Sequence, residues 1–164
     1  MDMAVLEKVS QFLVRVLIWI AGCFLAGMII LTCANILFRI VWVPVEGTFE
    51  LMGFFGAIVT AFALAYTYKN KAHVAVDILV MGFSERTRRI MNGINCAICS
   101  MFFLLAAWQI TKWGTTLWKT GEVSETLNII FYPFTYGVAF GCFILALVLL
   151  VDFLKAVLGR EEGI

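Results

Sequence analysis

Cys96 and Cys99 form the chain's one Cys-x-x-Cys spacing, the arrangement in which one thiolate attacks a disulfide and its neighbour resolves the product. Both fall inside a long uncharged stretch. A helix there holds them one turn apart, without an exposed turn around them, and no second pair lies in a loop to pass electrons onward. They read as small, polarisable residues of a packed interior. His73 is the single imidazole, too few for bis-histidine haem ligation or a multi-histidine metal centre. It stands beside Lys69 and Lys71, as a residue of a membrane surface does. Glu46 and Glu50 border the second apolar stretch. The spacing places Glu50 to pair with Arg39 across a short loop, and it makes Glu46 with Glu50 an acidic corner suited to docking a soluble partner.

The elements that must position these groups follow from hydropathy. Of 164 residues, 63% are hydrophobic and 14% charged, against roughly 45–50% and about 25% in soluble domains. Residues 16–38, 51–68, 90–111 and 126–151 contain no Asp, Glu, Lys, Arg or His. Each is long enough to cross a hydrocarbon core of about 30 Å as a helix. Backbone groups in lipid must satisfy one another, and continuous apolar character excludes a β-barrel. The expected fold is therefore an all-α membrane protein, a single domain over residues 1–164 with four transmembrane helices. An apolar stripe of Val76, Leu79, Val80 and Phe83 between the second and third spans predicts a short amphipathic helix in the interface. The first span continues past the lipobox-like Ile20-Ala21-Gly22-Cys23, so an uncleaved N-terminal span is expected. A formal net charge of +1 gives nucleic acid no concentrated basic face to bind.

Four spans put both termini and the middle loop on one side. Nine of the 12 basic residues lie there, namely Lys8, Arg15, Lys69, Lys71, Arg86, Arg88, Arg89, Lys155 and Arg160, against Arg39, Lys112 and Lys119 opposite. The positive-inside rule makes the termini cytoplasmic. Trp42, Trp108, Trp113 and Trp118 gather at the outer boundary, where indoles anchor a protein at headgroup depth, and Arg86, Arg88 and Arg89 anchor the inner boundary.

Within the spans, Gly53, Ala57, Ala61 and Ala65 recur every four residues, and Gly137 with Gly141 forms GxxxG. Small stripes let another backbone approach closely, either within the chain or from another subunit. Asn35, Asn92, Asn95 and Gln109 can hydrogen-bond across such contacts. The four spans offer no converging ionisable groups and no central proline of the kind that builds an ion-coupled site. Pro133, the one proline in a span, lies near the outer end of the fourth.

Asn35-x-x-x-Arg39, an acidic start to the second span at Glu50, and Lys71-Ala72-His73-Val74-Ala75-Val76-Asp77 occur in that order. In this the chain resembles the small membrane subunit, or Q component, of tripartite ATP-independent periplasmic (TRAP) transporters. The His-Val-x-Val-Asp segment is the most specific part, and Gly121 to Ile129 is similar to the family's lead-in to its last helix. Ile130 stands where the family often has proline. The resemblance implies a non-enzymatic subunit without a cofactor, in the bacterial inner membrane, separate from the large multi-span subunit that carries the transport pathway. A periplasmic binding protein delivers the substrate, an organic acid, and a sodium gradient drives uptake. On the residues alone, a four-helix thiol or quinone redox protein and a small proton-coupled exporter stand as alternatives.

Overall fold

The computed structural model describes residues 3–41, 43, 45–70 and 85–158, with residues 3–7, 85, 86, 88, 89, 156 and 158 as backbone only. Four helices occupy them: α1 Met3–Val41, α2 Thr48–Lys69, α3 Glu85–Thr120 and α4 Tyr132–Leu158. All four contain stretches long and apolar enough to cross a membrane. The expected interfacial helix at Val76 to Phe83, together with His73, Asp77 and Trp42, lies outside the described residues.

The helices overrun the uncharged stretches in some places and fall short in others, for reasons of backbone chemistry. At 1.5 Å per residue the 39 residues of α1 reach about 58 Å and the 36 of α3 about 54 Å, well beyond a core of about 30 Å. Charge marks where lipid ends, whereas a helix continues until its hydrogen bonding is interrupted. Lys112 to Thr120, expected as loop, thus extends α3 through Gly114. The helix stops at Gly121, whose φ of 67° is left-handed and whose N–H returns to Leu117 O at 3.0 Å, a glycine C-terminal cap. Conversely, residues 126–131 carry no charge yet precede α4. Pro133 sits in the first turn of α4, where its missing N–H costs no helical bond.

The chain runs up and down, so the α1–α2 and α3–α4 connections share one end, called here the loop end. α4 is central: α3 lies against it on one side, α2 on the other, and α1 backs onto α2 while touching α4. Half of the α4 membrane window is buried, against 11% for α1. The core joins Val14, Leu17 and Ala21 to Ile58, Ala61, Phe62 and Ala65, and these to Ile144, Leu145, Val148 and Leu149. Lipid is as apolar as these side chains, so close fit and hydrogen bonds rather than escape from water hold the helices together. The buried Ser100 hydroxyl, donating to Ala146 O at 3.0 Å, ties α3 to α4 in this way.

Candidate functional site

The polar residues converge at the loop end. Gly47 precedes α2 with φ 73°, a left-handed conformation that a side chain resists. A Cβ at Gly47 would also overlap the Leu127 side chain, so the two connections touch at this glycine. Thr48, almost wholly buried, donates its hydroxyl to Val45 O at 2.7 Å. From α1, the Asn35 Oδ1 accepts the Val45 N–H at 2.9 Å, bracing the α1–α2 connection from below.

Glu50, in the first turn of α2, reaches the other connection. Its Oε2 accepts the Ser124 hydroxyl at 2.6 Å and the Leu127 N–H at 3.2 Å, and its Oε1 accepts the Thr126 N–H at 2.9 Å. An ionised carboxylate, which only accepts, suits three converging donors. The α3–α4 connection is shaped to supply them. Val123 bridges Ile130 in antiparallel fashion, Ser124 N–H donates to Ile129 O at 2.9 Å, and Asn128 N–H donates to Ser124 O at 3.2 Å. Asn128 takes φ 52°, a left-handed conformation that asparagine tolerates better than most residues. Ser124 is 3% exposed. Beneath this latch, Phe54 of α2 stacks on Phe134 of α4 at 4.6 Å and meets Phe131 edge-on at 5.3 Å.

The expected Glu50–Arg39 pair is replaced by this arrangement. The Glu50 carboxylate bonds the α3–α4 connection, while Arg39 is exposed on α1. Backbone N–H groups and a hydroxyl satisfy a carboxylate as well as a guanidinium does, and they stand nearer. Glu46 is exposed beside Gly47, as are Glu122 and Glu125 on the facing connection. The sequence reading missed Ser124 and the aromatic trio. The resemblance at Gly121 to Ile129 was the one signal pointing to that loop.

The small-residue stripe of α2 divides in two. Ala61 and Ala65 are buried, and a Cβ added to Gly141 would stand 2.9 Å from Ala61 O and 3.0 Å from its Cβ, so α2 and α4 meet nearly backbone to backbone. Gly137 faces Ile58. Gly53 and Ala57 are exposed instead, and a Cβ at Gly53 would meet nothing within 4 Å. Trp108, Trp113 and Trp118 are exposed along α3. Cys96 and Cys99 are free thiols on the helical part of α3. The Cys96 Sγ lies 3.3 Å from the Tyr68 hydroxyl, and the Cys99 thiol donates to Asn95 Oδ1 at 3.7 Å.

A family model described as tripartite ATP-independent periplasmic transporters, DctQ component, matches residues 28–159, which include the part of α1 nearest the loop end, the loop-end latch and all of α2 to α4. No curated protein and no solved structure matches.

Proposed function

The chain belongs to the DctQ component family of tripartite ATP-independent periplasmic transporters, and from that premise we propose that it scaffolds and anchors the large membrane subunit during sodium-coupled uptake of organic acids. The family makes it a transporter component rather than an enzyme, which sets aside the redox and exporter alternatives. The observation that carries the scaffold reading is the arrangement of three helices around α4, which leaves most of α1 and α3 and the Gly53–Ala57 face of α2 uncovered within the chain. A small-residue face supports close approach by a helix of the large subunit. In the proposed orientation the termini are cytoplasmic, in accord with the basic residues at that end, and the loop end faces the periplasm of the bacterial inner membrane.

The latch bears on docking of the periplasmic binding protein. Glu50 is engaged within the chain, so its contribution to docking is to shape the loop end, while Glu46 is free to meet a basic surface. Reconstitution tests the whole reading. Liposomes holding the large subunit, this chain and the binding protein take up a radiolabelled dicarboxylate or sialic acid under an inward sodium gradient. Omitting this chain abolishes uptake, and this chain alone gives none. Uptake undiminished by the omission overturns the scaffold reading. Glu46→Lys lowers the apparent affinity for the binding protein while leaving the assembled membrane complex intact.

A further inference from the structure

We propose that the groove between α3 and α4 is a phospholipid site, one acyl chain lying in the groove and the lipid phosphate resting on Lys112. The groove has a volume of about 670 Å³. Ala107 and Ala139 form its floor, both nearly buried. Leu104, Leu105, Phe140 and Phe143 form its walls, all with substantial exposed area. The eight steps of α3 from Leu104 to Lys112 rise about 12 Å, close to the depth of one leaflet's hydrocarbon, half of about 30 Å.

The groove changes along that rise from apolar to polar, as a phospholipid does from its acyl chains to its headgroup. At the deep end it is wholly apolar. Toward the loop end come Thr111 and Tyr136, the Tyr136 hydroxyl standing 3.2 Å from Thr115 Oγ1. At this polar end the Lys112 ammonium, next to Thr111 in the chain, stands 5.6 Å from the centroid of the Trp108 ring, and Trp108 itself lines the groove. Among the described residues Lys112 makes no ion pair. A cation at the polar mouth of an apolar trough is complementary to a phosphate above an acyl chain, and a lysine near the headgroups attracts anionic lipid. A helix of another subunit fits less well, because close helix contacts in lipid use small residues. This face instead presents the exposed edges of Trp108, Phe140 and Phe143, while the small-residue face lies on α2.

Native mass spectrometry of the full chain in detergent, titrated with palmitoyl-oleoyl phosphatidylglycerol or phosphatidylcholine, tests the site. One phosphatidylglycerol binds per chain, more tightly than phosphatidylcholine. Lys112→Gln weakens phosphatidylglycerol about fivefold, as the loss of one lysine at a headgroup does, and removes the preference. Ala139→Leu, which raises the floor, weakens both lipids. In a variant with Trp108 as the sole tryptophan, phosphatidylglycerol with brominated chains quenches its emission at a lower mole fraction than brominated phosphatidylcholine does. Equal binding of the two lipids with no response to Lys112→Gln overturns the proposal, whether or not Ala139→Leu folds. So does expulsion of the lipid when the large subunit is added, which would make the groove a subunit seam.

Discussion

Replacing Glu50 with alanine removes the acceptor of Ser124, Thr126 and Leu127 at once, and Ser124 is too deeply buried to find water in its place. Purified Glu50→Ala is expected to melt below wild type in detergent and to gain protease cleavage within residues 121–131. Glu50→Gln, which keeps one acceptor oxygen, falls between the two. The two left-handed glycines give a second contrast. Gly121→Ala meets open space and carries only the backbone penalty of about 1–2 kcal/mol. Gly47→Ala adds the overlap with Leu127, so its loss in denaturant titration exceeds that of Gly121→Ala by roughly 1–3 kcal/mol. At this scale the sequence named Glu50 as the acidic start of a span but not its partners. Those stand 74 to 77 residues away, and nothing in local spacing selects a serine and two backbone amides over a nearby arginine.

The elements were more legible than their ends. Uncharged runs located all four helices because lipid excludes charge, yet the same criterion misplaced the start of α4 by treating residues 126–131 as helix. It also ended α3 before Lys112, although a helix needs no lipid to continue through Lys112 and Lys119. Four-residue spacing likewise located the stripe of α2 but not its division, since periodicity shows which residues share a face and not which neighbour reaches it. That division gives a third expectation. Gly141→Ala pushes a methyl against the Ala61 backbone, which cannot swing aside as a side chain would, and costs about 1–3 kcal/mol in mixed-micelle unfolding. Gly53→Ala, with open space at its Cβ, leaves the isolated chain as stable as wild type. Should the large subunit cover that face, only co-purification with the subunit would register the Gly53 change.

For the molecule as a whole, the up-and-down path and the shared loop end make one unit from helices whose individual burial is slight. Topology is testable at this scale: in a cysteine-free background, thiol probes at Ala4 and Val157 react from the cytoplasmic side and a probe at Glu46 from the periplasmic side, and the opposite pattern reverses the proposed orientation. The central place of α4 also has a consequence in time. It follows α1, α2 and α3 in the chain, yet it supplies the side against which α3 packs and part of the core that holds α1 and α2. A ribosome emits the chain from its N-terminus, so α1 and α2 can pair early, through contacts such as Phe24 with Phe55, while α3 waits in the bilayer without its main neighbour. Maturation is therefore gated by release of α4. A chain stopped after Phe131 should insert three spans and then be cleared by membrane proteases, whereas supplying α4 as a separate segment should rescue it, a dependence that pulse-chase degradation measures directly.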